Sequence, residues 1–217
     1  MHESRKKNGI KSRKRRPGIV TVNGTFIIIR INQRVKKMKT ESKKPEHMTS
    51  LSGDRLVPKT HERIAFRGLV DSLQADVIEA QVLASGLGES EICGNLGEIL
   101  IFLRDLMAAE VKETPFPPLF LSGMDAEEIH RQSHKSFIRD AEGKPVFPDY
   151  TQGPMVARLN TLRTRTRQVE LLSVKVFGPK ETASPELQER EDIITALNRL
   201  SSAFWLLICR RAGQDTF

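Results

Sequence analysis

The stretch at residues 154–177, PMVARLNTLRTRTRQVELLSVKVF, decides the fold. Its apolar and small residues recur every three or four positions, at Met155, Leu159, Leu162, Thr166, Val169, Ser173 and Val176. This spacing places them along one face of an α-helix. An apolar stripe with this spacing is typical of helices that pack nearly antiparallel in a bundle. The stretch therefore predicts a long helix with one buried side.

A second long helix is predicted over residues 185–211. Its apolar residues repeat with the same spacing, at Ile193, Leu197, Leu200, Phe204 and Leu207. Ser184 and Pro185 stand in front of it, a pair typical of a helix start, because serine caps free N–H groups and proline fits the first turn. Two long helices with facing apolar stripes predict an antiparallel pair.

Three further helices are predicted upstream, over residues 61–85, 94–113 and 125–134. In the first, the expected core residues are Ile64, Phe66, Leu69, Leu73, Val77 and Ile78. Gly86 and Gly88 end that helix, and Asp125 is placed to cap the third. The proline- and glycine-containing residues 137–154 are predicted to be a loop. The fold class expected is therefore all-α.

Residues 1–44 differ from the rest of the chain in charge. They hold 15 Lys/Arg against 2 Asp/Glu, so this basic arm carries about +13, whereas the remaining residues carry about −5. Within the arm, Asn23-Gly24 between β-branched runs predicts a short β-hairpin at residues 19–31. We therefore expect a basic arm at 1–44 and one helical domain at 45–217.

The basic arm leaves open a second class of function, a helical protein that binds nucleic acid. Such a protein would show DNA binding that depends steeply on salt and requires the arm. Phe26 is the only aromatic residue of the arm, so stacking on bases is poorly supported. We do not expect nucleic acid to be the main partner.

The remaining composition indicates a cytoplasmic protein without a structural metal. The two cysteines, Cys93 and Cys209, are far apart and have no metal-ligand pattern around them. His130 and His134 lie one helical turn apart but lack an evident third ligand, so capping or hydrogen bonding is favoured over metal binding. We find no apolar stretch approaching the roughly 18 residues that span a bilayer, and we expect no membrane association.

One cluster on the 154–177 helix has the chemistry of an anion site. Arg163, Arg167 and Glu170 each follow a stripe residue by one position, about 100° around the helix, so they flank the core and can line a cleft. Two arginines one turn apart can hold a polyphosphate. The spacing by itself favours a solvated basic face with an internal Arg–Glu pair, because such pairs are common on helices. The spacing alone leaves both interpretations open.

A second cluster lies in residues 45–59, PEHMTSLSGDRLVPK, directly before the first helix. Its hydroxyls, its glycine and Lys59 are groups that cradle phosphates in other loops. The segment lacks the Gly-Lys-Ser/Thr ending of a Walker sequence. An ordinary capping loop remains the alternative.

Five segments together resemble a known family. They are residues 45–51 (PEHMTSL), 63–74 (RIAFRGLVDSLQ), 129–134 (IHRQSH), 162–170 (LRTRTRQVE) and 196–202 (ALNRLSS). In this order they resemble the ethanolamine-utilisation corrinoid adenosyltransferases, which are relatives of the propanediol-utilisation type. The resemblance covers about residues 45–211.

The resemblance implies a five-helix bundle that forms a homo-oligomer, a dimer or a trimer. It implies transfer of the 5′-deoxyadenosyl group of ATP, with Mg²⁺, to reduced cobalamin. A corrinoid reductase and ethanolamine ammonia-lyase become expected partners, in the cytoplasm or at a bacterial microcompartment. A non-catalytic bundle that binds a microcompartment shell or a corrinoid enzyme would keep the stripes but tolerate loss of the arginines.

The resemblance also implies roles for individual residues. The ATP-loop region contains Thr49, Ser50, Gly53 and Lys59. Asp71 matches the acidic residue that pairs with the first helix arginine, Arg163. The remaining matches are the second arginine Arg167, its acidic companion Glu170, the nucleotide-proximal Asn198, and Phe147, an aromatic beside the lower face of the corrin ring.

Two departures from the family pattern bear on these roles. Residues 33–44 contain no cysteine where many ethanolamine-type members have a His/Cys metal-binding cluster, so no metal requirement is predicted. Leu171 stands where propanediol-type relatives often have another arginine, which leaves one phosphate contact in doubt.

Overall fold

The computed structural model describes residues 19–22, 25–28, 44–140, 142–179 and 189–214. Contacts within the chain separate two units, Met1–Lys43 and Lys44–Phe217. In the first unit, strands β1 (Ile19–Val22) and β2 (Thr25–Ile28) pair antiparallel, with Ile19 opposite Ile28. The hairpin predicted in the arm is thus confirmed over these strands, whereas residues 29–31 of that prediction lie outside the described residues.

The second unit is a helical bundle decorated with short hairpins. Its elements, in chain order, are β3 (Met48–Ser52), β4 (Arg55–Pro58), α1 (Glu62–Gly86), α2 (Ser90–Lys112), β5 (Phe120–Leu121), β6 (Met124–Asp125), α3 (Ala126–Ser133), β7 (Ile138–Arg139), β8 (Pro145–Val146), a 3-10 turn (Tyr150–Gln152), α4 (Gly153–Phe177) and α5 (Glu191–Gln214). Each strand described pairs only with its neighbour in sequence. The five helices in this part of the chain confirm the predicted all-α bundle.

Helices α4 and α5 form the centre of the bundle and confirm the predicted antiparallel pair. All seven stripe residues of α4 and all five of α5 are buried. Because the stripes face each other, the residues one position beyond them flank the seam on its open side. This packing puts Arg163 and Glu170 of α4 within reach of α5.

Helix α1 packs against α2 and α4, but its core differs from the prediction. Phe66, Leu73 and Val77 are buried as expected, and Ile64 is only partly buried. Leu69 and Ile78 are 38% and 44% exposed. The observed stripe steps regularly by three and four, through Phe66, Val70, Leu73, Val77, Ala80 and Ala84. Leu69 and Ile78 lie one position off this series, about 100° around the helix.

Two predicted helix starts were wrong. Helix α2 begins at Ser90 rather than Gly94, because the turn from α1 is completed at Gly88, whose φ is +74°, and Gly94 has open space inside the helix. Helix α5 begins at Glu191 rather than at 185, and Arg190 before it is non-helical. The predicted cap, Ser184, lies outside the described residues.

Contacts with distant parts of the chain explain the later start of α5. Arg190 donates through Nη2 to the carbonyl of Thr114 at 2.8 Å, and its backbone N–H donates to the carbonyl of Phe177 at 3.2 Å. Asp192 accepts from Arg190 Nε at 2.9 Å and from the N–H of Phe116 at 2.8 Å. This Arg190–Asp192 clip ties the start of α5 to the segment after α2.

Helix α5 also corrects the statement that no stretch approaches membrane-spanning hydropathy. In the described part of the chain, Glu191–Gly213 has the length and composition of a possible span, with a mean hydropathy of 1.3 over its most apolar window. Just over half of that window is buried inside the bundle. Helix α5 packs against both α4 and α3, so more than one of its sides must be apolar, which accounts for this composition.

A buried ion cluster joins the start of α1 to the end of α2, and we call it the closed cluster. Glu110 is fully buried, and its carboxylate accepts from Arg63 Nε at 2.6 Å and from Arg67 Nε. Arg63 also donates to Glu113 Oε1 at 2.6 Å, which lowers the pKa of the Glu113 carboxyl. Arg67 Nη2 is buried without a hydrogen-bond partner among the described residues.

Candidate functional site

The site begins with Arg163, which is partly buried beside the α4–α5 seam. Its Nε donates to Asn160 Oδ1 at 3.1 Å, and its Cζ lies 5.7 Å from the ring centroid of Trp205. Burial, and secondarily the charge of Arg167, lower the pKa of its guanidinium. No carboxylate among the described residues pairs with Arg163, so this partly buried cation lacks an anion.

The second pair of the site crosses from α4 to α5. Asn198 Nδ2 donates to Glu170 Oε1 at 2.8 Å, and Asn198 Oδ1 accepts from Arg199 Nη1 at 2.6 Å. Glu170 is therefore engaged with α5, and Arg167 is exposed without an ion-pair partner among the described residues. The internal Arg–Glu pair that a plain basic face would contain is not formed.

Trp205 was missed by the sequence reasoning. Its Nε1 donates to the carbonyl of Ser136 at 3.0 Å, which connects α5 to the segment after α3. A signal was present, because Trp205 follows Asn198 by seven residues and so lies on the same side of α5, two turns further on. We name Arg163, Arg167, Glu170, Asn198 and Trp205 the open cluster.

Asp71 is not bonded to the open cluster within the single chain. It is exposed on α1 and forms no hydrogen bond or ion pair with the residues described. The first helix arginine, Arg163, is bonded to Asn160 instead. The Asp71–Arg163 pair implied by the family resemblance is thus not formed inside one chain.

The predicted ATP loop is a β-hairpin rather than a loop. Strands β3 and β4 pair with Thr49 opposite Val57 and a register shift between Ser50 and Ser52. Buried Leu51 and Val57 anchor the hairpin, because alternate residues of a strand point to one face.

The four ATP-loop residues lie on or beside this hairpin. Ser50 Oγ donates to the carbonyl of Gly53 at 2.6 Å, and Gly53 has a φ of +52°, a conformation that favours glycine. Thr49 is partly buried, and Lys59 is exposed, with its N–H bonded to the carbonyl of His47 at 2.8 Å. These residues therefore lie on or directly beside a single short hairpin.

The hairpin and the open cluster are far apart in the single chain. The hairpin leads into the start of α1, where Glu62 pairs with Lys175 at 3.1 Å, near the end of α4. Arg163 precedes Lys175 by twelve residues, which corresponds to about 18 Å along the helix. None of the contacts among described residues joins the hairpin to Arg163 or Arg167.

Phe147 lies on the segment that leads into α4 and is 87% exposed. Tyr150, three residues later, is 85% exposed. A capping box between Asp149 and Gln152 holds this segment, and Gln152 Nε2 donates to the carbonyl of Phe147 at 3.3 Å. An aromatic side chain held in solvent by a fixed backbone is suited to covering an apolar ligand.

The histidines and the cysteine considered from the sequence have no arrangement suited to metal binding or nucleophilic chemistry among the described residues. His130 and His134 stack edge to face with their ring centroids 4.6 Å apart. Within the described ranges, no three His, Cys, Asp or Glu side chains come together as a metal site would require. Burial raises the pKa of the Cys209 thiol to about 11, so this cysteine is a poor nucleophile.

Solved structures of similar fold place this bundle in a known class. It matches a variant PduO-type ATP:corrinoid adenosyltransferase from Lactobacillus reuteri complexed with cobalamin and ATP, with a TM-score of 0.59, 20% identity, and coverage of 78% of this chain and 90% of that one. A further variant, complexed with ATP, matches with a TM-score of 0.55 at the same identity and coverage. These likenesses establish the fold, that of the PduO-type adenosyltransferases.

Sequence comparison then identifies the family. Residues 39–211 match the family described as cobalamin adenosyltransferase. The chain is 32% identical to the corrinoid adenosyltransferase EutT of Salmonella typhimurium over 166 residues, 76% of this chain and 59% of that protein. EutT of Escherichia coli K12 is 32% identical over 167 residues. The chain therefore belongs to the cobalamin adenosyltransferase family, and it spans about three-fifths of the length of the curated relatives it matches.

Proposed function

We propose that this protein is an ATP:cob(I)alamin adenosyltransferase. The observation that carries the proposal is Arg163, a partly buried guanidinium with no carboxylate partner among the described residues and with exposed Arg167 one turn away. A desolvated cation without a counter-charge is costly in the free protein, whereas it binds a developing anion strongly. The triphosphate released from ATP in this reaction is such an anion.

The reaction requires little of the protein beyond orientation and charge. The cobalt of cob(I)alamin attacks the ribose C5′ of ATP, so that a cobalt–carbon bond forms as the bond from C5′ to the phosphate oxygen breaks. The leaving triphosphate takes the electron pair. Arg163 and Arg167 stabilise this charge, and holding both reactants in line lowers the barrier further.

Glu170 and Asn198 complete the polar side of the nucleotide site. Asn198 occupies Oε1 of Glu170, which leaves Oε2 for a cation or a donor on the nucleotide. Mg²⁺ commonly binds through one or two carboxylates together with phosphate oxygens and water. Glu170 thus fits a Mg²⁺ that accompanies the triphosphate and neutralises part of its charge.

The site is completed between copies of the chain, as a dimer or a trimer. The hairpin residues Thr49, Ser50, Gly53 and Lys59 supply hydroxyl, backbone and ammonium donors for phosphates, yet they lie far from the open cluster of their own chain. Asp71 is exposed and unpaired among the described residues, while Arg163 lacks a carboxylate. An interface that brings Asp71 of one copy to Arg163 of another would supply both missing partners.

Phe147 is assigned to the corrin side of the site. Its ring is exposed and its backbone is fixed by the capping box. An apolar ring against the lower face of the corrin keeps water and the axial ligand from cobalt, which favours reduction to Co(I).

The likeness to EutT extends the proposal to ethanolamine catabolism in the cytoplasm or at a microcompartment. The product would serve ethanolamine ammonia-lyase, and a corrinoid reductase would supply the electron.

The test mixes chemically reduced cobalamin with ATP and Mg²⁺ and follows the visible spectrum of adenosylcobalamin. We expect product formation that saturates with ATP and falls sharply in Arg163→Ala. A folded wild-type protein that forms no product above the protein-free control would refute the proposal.

A further inference from the structure

Trp205 is the member of the open cluster that carries no phosphate-binding group. Its indole ring lies beneath the guanidinium of Arg163, with the Cζ atom 5.7 Å from the ring centroid. On its other side, Nε1 donates to the carbonyl of Ser136. The residue is partly buried, and it is the only tryptophan of the chain.

We propose that Trp205 is a positioning residue that holds Arg163 in the conformation that binds the triphosphate of ATP. This role rests on the proposed adenosyltransferase function. The ring acts through Arg163, because the indole N–H, its polar group, is already bonded to Ser136 and is not available to the nucleotide.

Two contacts hold the guanidinium of Arg163, one at Nε and one at the Trp205 ring. Arg163 Nε donates a hydrogen bond to Asn160 Oδ1, and the guanidinium makes a cation–π contact with the indole ring. The terminal nitrogens Nη1 and Nη2 form no hydrogen bond with the described residues, so both remain for phosphate oxygens. A free arginine side chain loses rotamer entropy on binding, and the ring removes part of that cost in advance.

The Ser136 bond fixes the ring itself. An indole on a helix surface can occupy more than one rotamer, and the bond from Nε1 to the segment between α3 and β7 selects one of them. The position of Arg163 therefore depends on that segment as well as on α4 and α5.

Two substitutions of Trp205 distinguish the contribution of the aromatic ring from that of its N–H group. Trp205→Leu removes both, and we expect it to raise the KM for ATP about fivefold to tenfold, with a smaller effect on the KM for cobalamin. Trp205→Phe keeps an aromatic face and should stay within about threefold of wild type. Thermal unfolding of both variants checks that the bundle remains folded.

A double-substitution cycle tests whether Trp205 acts through Arg163. Trp205→Leu should cause less than about a twofold further loss in kcat/KM when introduced into Arg163→Ala. An equal loss in both backgrounds would overturn the proposal, because the ring would then act elsewhere. Equal kinetics for Trp205→Leu and wild type would overturn it as well.

The fluorescence emission of Trp205 provides a measurement of ATP binding that does not require cobalamin. We expect its intensity or wavelength to change on titration of the wild-type protein with ATP, because the guanidinium above the ring exchanges an unpaired charge for a phosphate contact. A wild-type protein that forms no adenosylcobalamin would defeat the proposed function, whereas an emission unchanged by ATP in an active enzyme would defeat the role of Trp205.

Discussion

The bundle contains two arginine clusters of similar composition and opposite design. In the closed cluster, Arg63 and Arg67 share the fully buried carboxylate of Glu110. In the open cluster, Arg163 and Arg167 face no carboxylate among the described residues, and the nearby Glu170 is bonded to Asn198.

The difference predicts a separate role for each cluster. A buried charge that is paired inside the chain depends on its partner, and removing one partner destabilises the fold strongly because the other charge is left buried and unpaired. A partly buried charge without such a partner does not stabilise the fold and is available to an external anion. Substitution should therefore affect stability in the closed cluster and catalysis in the open one.

The largest effect is expected from Glu110→Ala. It leaves Arg63 and Arg67 buried without their shared carboxylate, and we expect the free energy of unfolding to fall by about 3–5 kcal/mol. Chemical denaturation measures this value. Glu128→Ala is the matched control, because Glu128 pairs with Arg131 on the surface of α3 and should change stability little. A similar small loss for both would contradict the distinction between the clusters.

Arg163→Ala is expected to lower activity while leaving stability nearly unchanged, the converse of Glu110→Ala. We expect kcat/KM to fall at least about tenfold, roughly 1.4 kcal/mol of transition-state stabilisation, with the unfolding free energy changed by less than about 1 kcal/mol. Steady-state kinetics and denaturation on the same preparation measure both. Arg165→Ala is the control, since Arg165 is exposed and pairs loosely with Asp76 at 3.8 Å. Equal losses in the two variants would point to a general charge effect.

The two central helices were predictable from the sequence, because the need to bury apolar residues produces a regular spacing along each helix. The α4 and α5 stripes repeat every three to four residues, and the structure buries every predicted member. Leu69 and Ile78 were misassigned because they are apolar but off the regular series, and only packing shows which side of α1 faces its neighbours. The start of α5 depends on Arg190 reaching Thr114, a contact that no local pattern reveals.

The site was predictable only in part. The positions of Arg163 and Glu170 beside the seam follow from their spacing after stripe residues. Their partners do not, because an unpaired guanidinium and a ring beneath it are properties of the packed helices. Family resemblance indicated Asp71, yet Asp71 is not bonded to the open cluster of its own chain.

Asp71 offers the test of a site shared between copies. Asp71→Ala should lower kcat/KM about tenfold or more, although Asp71 has no partner among the described residues of its own chain. Mixed oligomers of Asp71→Ala with Arg163→Ala should regain activity, because some interfaces then carry both native residues. Arg163→Ala mixed with Arg167→Ala is the control without recovery, since both changes lie on α4. A lack of recovery in the first mixture, with exchange of copies verified, would place Asp71 outside the site.

The smallest effect is expected at the Arg190–Asp192 clip, where an arginine is paired with a carboxylate two residues away. Burial alone would raise the pKa of Asp192, but hydrogen bonds from Arg190 and from the N–H of Phe116 outweigh it and lower the pKa. The carboxylate therefore stabilises the fold above its unfolded pKa, near 3.9, and this contribution is lost as the pH falls through the lower folded value. Asp192→Asn should reduce Tm at pH 6, and the difference from wild type should shrink toward pH 3. A difference independent of pH would show that the charge of Asp192 is not what holds the start of α5.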